Sequence, residues 1–179
     1  LTNNTTGGYN IAIGPSALAS NTTESYNIAM GTNAMTSATG AQRCVAIGVN
    51  VMQQLTTGDR NIAIGVNAFD AATTAHDNVC IGESAGSSLT DGNAYYNVAI
   101  GSYALDDATT AQSNTVIGYA AGGTATTGDG NVYIGSFAAG LATGAHTNTF
   151  IGANAGYDVT TGNNLICIGH AAGYNAGND

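Results

Sequence analysis

The residues that could take part in catalysis are few, and the paired carboxylates come first. Asp70 and Asp106 occupy equivalent positions two units apart in a repeat described below. Two carboxylates at a suitable separation can hydrolyse a glycosidic bond. If each repeat adds one strand spacing of about 4.8 Å, the two lie about 10 Å apart, slightly beyond the range for an inverting pair. We expect a protein that is not an enzyme.

Histidines and cysteines are too widely spaced for a shared metal site or a disulfide. His76 and His146 are equivalent residues four repeats apart, and Cys80 and Cys167 are equivalent residues five repeats apart. Five repeats correspond to roughly 24 Å, which no disulfide spans. Cys44 belongs to a different position of the repeat. The sequence therefore predicts no metal site, no cofactor and no disulfide within the chain.

Tyrosines are the residues best suited to contact a ligand. Tyr95 and Tyr96 are adjacent, whereas Tyr157 and Tyr174 are equivalent residues of neighbouring repeats. An exposed tyrosine ring can stack on a sugar ring, or simply cover its neighbours. We take these four as candidate ligand contacts, with a cell-surface glycan or receptor as the partner.

Composition excludes other partners. The chain has 179 residues, 11 acidic and two basic, for a net charge of −9. Nucleic-acid binding requires basic residues to neutralise phosphates, so it is excluded. No apolar run approaches the roughly 18 residues of a membrane span, so membrane insertion is not expected.

A repeat positions these residues. A short apolar run ends in glycine ten times, and every step is 17 residues except one of 19 between Gly82 and Gly101. A strict short period indicates a stack of equal coils. The long step places a two-residue insertion within residues 91–96. The ten glycines are Gly14, Gly31, Gly48, Gly65, Gly82, Gly101, Gly118, Gly135, Gly152 and Gly169.

We number each coil from its glycine, as position 0. Positions −3 and −1, such as Ile62 and Ile64, are mostly Ile or Val, which favours a strand whose two flanking side chains face the core. Three short strands, or two strands and an arc, would close a 17-residue coil. The fold class predicted for residues 1–179 is a single all-β parallel solenoid of ten coils, about 48 Å long.

Two polar columns run along the stack. Position −4 is Asn in eight coils, which we interpret mainly as a turn-stabilising residue, with a side-chain ladder between coils as the alternative. Position +8 is Thr in nine consecutive coils. These threonines either face a corner, where they bond to the backbone, or face outward as a hydroxyl array. We favour the corner.

Position −2 lies between two positions assigned to the core, so alternation predicts that it faces outward. None of its ten residues is charged, and a strand that is apolar on both faces is covered on both faces. We therefore predict an inter-chain interface at Ala12, Ala29, Ala46, Ala63, Cys80, Ala99, Val116, Tyr133, Phe150 and Cys167.

The unit Asn-Ile-Ala-Ile-Gly-x-Asn-Ala at residues 61–68 resembles repeats of bacteriophage tail-fibre proteins. It is also similar, over a shorter period, to the head repeat of trimeric autotransporter adhesins. The resemblance implies a left-handed β-roll, three chains side by side and a role in attachment. In later coils Gly replaces larger residues at position +4, as at Gly122, which departs from the earlier pattern.

These observations predict a structural fibre or adhesin-type shaft, extracellular or on a virion surface, assembled from copies of itself as a homotrimer. Because the sequence begins and ends within repeats, we expect either a segment of a longer shaft or a filament subunit. Two alternatives remain: a filament that assembles head to tail, and a threonine surface that binds ice or carries glycans.

Overall fold

Ten parallel β-strands form a single sheet in the computed structural model, which describes residues 1–90 and 92–174. Each strand pairs with the next one along the chain, and no helix occurs in the described residues. The predicted all-β parallel solenoid is confirmed. The strands are β1 Ile11–Ile13, β2 Ile28–Met30, β3 Val45–Ile47, β4 Ile62–Ile64, β5 Val79–Ile81, β6 Val98–Ile100, β7 Thr115–Ile117, β8 Val132–Ile134, β9 Thr149–Ile151 and β10 Ile166–Ile168.

Each coil contains one three-residue strand and completes its circuit through turns. The prediction of two or three strands per coil was therefore wrong. We call positions +1 to +6, the turns that follow the glycine, the arc. Its amides bond between coils as a strand's would: the Leu18 amide donates to Ala34 and the Asn33 amide to Pro15, at 3.0 and 2.9 Å. Turns can therefore replace strands because the stacking satisfies their backbone groups.

The strand faces are the reverse of those predicted. Ala63 is fully buried, whereas its neighbour Ile62 is 38% exposed. The same holds along the sheet: position −2 points into the solenoid and positions −3 and −1 point out. The predicted inter-chain residues therefore belong to the core of one chain. Ala29, Ala46, Ala63, Cys80, Ala99, Val116, Tyr133 and Phe150 are buried there, and Ala12 and Cys167 in the end coils are partly buried against it.

Limited interior volume explains this orientation. Position −2 faces position +4 of the arc. The side chain at one position is small where the side chain at the other is large. Where position −2 is Ala, position +4 is Leu, Met or Phe; where position −2 is larger, position +4 is Gly or Ala. In no coil are both positions large, so the two share one space in the interior. The pairs are Ala12/Leu18, Ala29/Met35, Ala46/Met52, Ala63/Phe69, Cys80/Gly86, Ala99/Leu105, Val116/Gly122, Tyr133/Ala139, Phe150/Gly156 and Cys167/Gly173.

The repeated glycine at position 0 is required by the close approach of successive coils. Gly82 has φ = 135°, and a Cβ there would lie 2.5 Å from the carbonyl carbon and oxygen of Gly101. Both the backbone conformation and the stacking distance exclude a side chain. The glycine column therefore keeps the corner of every coil in register with the next.

The asparagines at position −4 form a buried ladder between coils. The Asn114 side chain donates to Asn97 Oδ1 at 3.1 Å and to the Gly128 carbonyl at 2.8 Å. The Asn114 backbone amide also donates to Asn97 Oδ1. Equivalent bonds join Asn61 through Asn148. The ladder, rather than the favoured local turn, is the role observed.

The two-residue insertion lies between Thr90 and Ala94. The Thr73 amide donates to Thr90 at 2.8 Å, so the 17-residue register holds to that point. It resumes at Ala94, whose carbonyl accepts from Asn78 as that of Ala75 accepts from Asn61. The inserted segment includes Asp91, which lies outside the described residues.

Candidate binding surfaces

The outer side of the sheet is an aliphatic surface, which we call the strand face and define as positions −3 and −1 of all ten strands. Eighteen of its 20 residues are Ile, Val or Met, and the other two are Thr115 and Thr149. All are exposed or half-buried. In the end strands Ile11 and Ile166 are 49% and 74% exposed.

The size of the strand face makes it a candidate for contact with another molecule. Three residues across at about 3.3 Å and ten strands along at about 4.8 Å give roughly 500 Å². This is at the upper end of the apolar patches on typical monomers, about 300–600 Å², which are often functional. Val49 and Val66, just past the glycine corner, are also exposed.

A second surface consists of aromatic side chains from five consecutive coils. Successive ring centroids lie 6.0, 5.3, 6.4 and 5.7 Å apart. We call this line the aromatic row. The first three contacts are edge-to-face and the last is stacked. It includes two predicted ligand contacts, Tyr157 and Tyr174, and three residues that the sequence analysis missed. Its members are Tyr103, Tyr119, Phe137, Tyr157 and Tyr174.

The row borders an open surface hollow of about 280 Å³ at its later end. Phe137, Asn154, Tyr157 and Tyr174 line it. Gly140 is buried beneath the Tyr157 ring, and a Cβ there would lie 2.5 Å from Tyr157 Cε2. The glycine therefore lets this ring lie directly on the backbone of the preceding coil. The hollow thus combines three aromatic rings with one carboxamide.

The surroundings of the row are acidic. The Tyr103 hydroxyl donates to Glu83 Oε1 at 3.3 Å, and the negative charge of that carboxylate raises the pKa of Tyr103. Both arginines of the chain, Arg43 and Arg60, precede strands β3 and β4, and Arg60 is two coils from Tyr103, the first ring of the row. No arginine or lysine lies within the five coils of the row itself.

Tyr95 and Tyr96 belong to a separate cluster beside the insertion. The Tyr95 ring stacks on His76 with centroids 5.3 Å apart and meets the Tyr96 ring edge-on. His76 Nδ1 lies 2.8 Å from Asp77 Oδ2, and Asp77 accepts two hydrogen bonds from Arg60 at 2.6 and 2.7 Å. The Arg60 guanidinium lowers the pKa of Asp77 to about 2. These groups satisfy one another, which favours a structural role.

The threonines at position +8 are surface residues whose hydroxyls bond to the backbone. Thr56 and Thr73 each donate to the carbonyl of the equivalent threonine in the next coil, at 2.8 and 2.6 Å. Several other coils repeat the bond. The corner interpretation is thus right about the bonding, although the side chains are half-buried or exposed.

Among the described residues, the structure gives the surroundings of the paired carboxylates and of the cysteines. Asp106 accepts a hydrogen bond from Ser87 at 2.5 Å, and burial raises the pKa of Asp70. Burial also raises the pKa of Cys44, to about 11, which disfavours the reactive thiolate. Among the described residues, no three His, Cys, Asp or Glu are placed to hold a metal ion. The same part of the chain has no helix suited to crossing a bilayer.

Comparison with known proteins finds no matching family model, no matching curated protein and no matching solved structure. The resemblance to tail-fibre and adhesin repeats therefore stays a prediction from the repeat unit itself.

Proposed function

We propose that this chain is a non-enzymatic structural subunit of an extracellular or virion-surface attachment fibre, in which solenoids pack side by side as a homotrimer. The observation that supports the proposal is the strand face: an uncharged aliphatic surface that extends over all ten strands and remains exposed or half-buried among the described residues. A second copy supplies a surface of matching length and coil spacing.

The partner surface differs from the one that the sequence analysis predicted, but the reason for expecting a partner is the same. Apolar side chains that remain exposed over this length favour association and would otherwise be an aggregation hazard. β-Branched residues such as Ile62 and Val79 present a stiff surface that loses little side-chain entropy on contact. The resemblance of residues 61–68 to tail-fibre repeats adds the expectation of three chains.

A pair of outward-facing substitutions tests the proposal. Ile64 and Ile100 occupy position −1 of β4 and β6, and Ile64→Glu with Ile100→Glu places carboxylates in the strand face without altering the core. Sedimentation equilibrium should give three times 17.7 kDa for the unchanged chain and 17.7 kDa for the double variant. Uncompensated charges in an apolar interface cost far more than they do in water.

The matched control is Thr57→Glu with Thr127→Glu, which adds the same charge at exposed threonines away from the strand face. It should keep the trimer mass. The proposal is wrong if the unchanged chain is a monomer at micromolar concentration, or if both double variants keep the same mass. Long polymers in electron micrographs would instead indicate the head-to-tail filament.

A further inference from the structure

We propose that the later end of the aromatic row, around the hollow between Phe137 and Tyr174, binds an uncharged oligosaccharide. The proposal rests on the attachment function proposed above, for which it supplies a ligand class and a site. It uses a surface different from the strand face, so association between chains and sugar binding can be tested separately.

Two rings of the row occupy a backbone position that favours Asn. Tyr103 and Phe137 occupy position +2 of the arc, where φ is 61° and 56°. The left-handed conformation favours Asn, and Asn33, Asn50 and Asn67 occupy this position in earlier coils. Positive φ recurs at position +2 of every coil, so it belongs to the fold and does not by itself indicate function. Tyr103 and Phe137 nevertheless remain more than a third exposed, so burial does not explain the choice of a ring at this position.

The groups in the hollow suit a sugar. Phe137, Tyr157 and Tyr174 offer apolar ring surface to the C–H groups of a pyranose, and Tyr174 is 49% exposed. Asn154 adds a carboxamide, which can both donate to and accept from hydroxyl groups. Apolar walls with a few convergent polar groups are the usual make-up of a small-ligand site.

The charge around the row selects among sugars. The Glu83 carboxylate accepts from Tyr103 at the start of the row, Asp158 directly follows Tyr157, and both arginines lie at least four coils before the hollow. A sugar bearing carboxylate, sulfate or phosphate would meet negative charge with no arginine or lysine to offset it. The ligand is therefore neutral. The row spans five coils, which provides length for a chain of several sugar units.

Calorimetric titration with neutral hexasaccharides of glucose, N-acetylglucosamine, mannose and galactose tests this inference, with hexagalacturonate as the anionic probe. At least one neutral sugar should bind with a Kd of about 1 mM or tighter, and hexagalacturonate should not bind. Phe137→Asn should weaken binding five- to tenfold while leaving the melting temperature unchanged or raised, because Asn prefers the backbone conformation at this position. Tyr157→Ala should weaken binding at least as much.

Tyr26→Asn is the matched control: Tyr26 is also an exposed tyrosine at positive φ, but its ring stacks on Tyr9 outside the row. It should leave binding unchanged. Failure of every neutral sugar to bind at about 1 mM, or equal loss of affinity in all three variants, overturns the proposal. Binding of hexagalacturonate alone also overturns it. Sedimentation of Phe137→Asn should match the unchanged chain, which separates this result from failure of the proposed fibre.

Discussion

In coils 3 and 4 the large interior side chain comes from the arc, whereas in coils 8 and 9 it comes from the strand. We number each coil by its strand, so that coil 4 contains β4. In coil 4, Ala63 on the strand faces Phe69 on the arc; in coil 9, Phe150 on the strand faces Gly156 on the arc. All four lie in the same continuous core. The comparison teaches that positions −2 and +4 share one space in the interior, which a large side chain at either position can fill.

The two arrangements differ in backbone strain. Position +4 has positive φ in both, 53° at Phe69 and 59° at Gly156. Only glycine adopts that conformation without cost, and phenylalanine at the strand position suits an extended backbone. The later coils therefore agree better with local preference. In the earlier coils burial of the arc side chain offsets the strain.

The largest expected effect comes from moving a ring across the interior. Phe69→Gly should lower the free energy of unfolding by about 3 kcal/mol, because it leaves a cavity of phenyl size. Adding Ala63→Phe converts coil 4 to the arrangement of coil 9 and should recover most of that loss. Urea unfolding followed by circular dichroism measures both, as a double-mutant cycle.

The control for this exchange places the same ring in the wrong coil. Phe69→Gly with Ala46→Phe leaves the coil 4 cavity empty and crowds Met52 in coil 3, where overpacking costs about 1–3 kcal/mol. This variant should be less stable than Phe69→Gly alone. Equal recovery by both double variants would show that the interior is not divided coil by coil.

An intermediate effect is expected where the asparagine ladder is interrupted. The ladder runs unbroken from Asn61 to Asn148 through both kinds of coil, but Cys44 occupies its position in coil 3. The Cys44 thiol lies 3.4 Å from the Gly58 carbonyl oxygen. In the preceding coil the Asn27 side chain makes the equivalent hydrogen bond to the Ala41 carbonyl at 2.8 Å. Cys44→Asn should add about 1 kcal/mol by joining Asn27 to Asn61. Thermal unfolding under reducing conditions measures the gain, and Cys44→Ser, which is too short to span the gap, should not reproduce it.

The smallest effect concerns the exterior of coils 4 and 5. Arg60 holds the pKa of Asp77 at about 2, below its ordinary 3.8. A lowered carboxyl pKa stabilises the fold above the ordinary value, and this contribution is lost as pH falls towards 2. Arg60→Gln removes this contribution, so Tm should fall less between pH 5 and pH 2.5 than it does in the unchanged chain. Because the pair is exposed, the difference should be at most about 2 °C.

Arg43→Gln removes the same charge one coil earlier and should leave that fall unchanged. A change in Tm for Arg60→Gln as large as that for Phe69→Gly would contradict the view that the interior, and not the exterior, dominates stability in these coils.

The period, the all-β class, the strand positions and the parallel stacking were all predictable, because glycine recurs with strict spacing after each strand. Which face of each strand points outward was not predictable. Alternation shows that Ile62 and Ile64 share a face opposite Ala63, but both faces are apolar, so polarity marks neither as the outside. The signal that identifies the core face was present as the opposite variation of positions −2 and +4.

The aromatic row was only partly predictable, and the reason is different. Tyr103 and Phe137 occupy position +2, Tyr119 position +1, and Tyr157 and Tyr174 position +5. Comparing equivalent positions of neighbouring coils identifies the last two, which share a position, and misses the other three. Their rings meet although they occupy different positions of successive coils. Only the structure shows these contacts.

A solenoid with one short strand per coil uses many residues for the length it spans. Each 17-residue coil advances the solenoid by about 4.8 Å, or roughly 0.3 Å per residue, against 1.5 Å per residue for an α-helix. An α-helix of about 32 residues would span the same 48 Å. What the longer chain obtains is an exterior in which every surface position recurs ten times at one spacing, so weak contacts made by single coils can add along the axis.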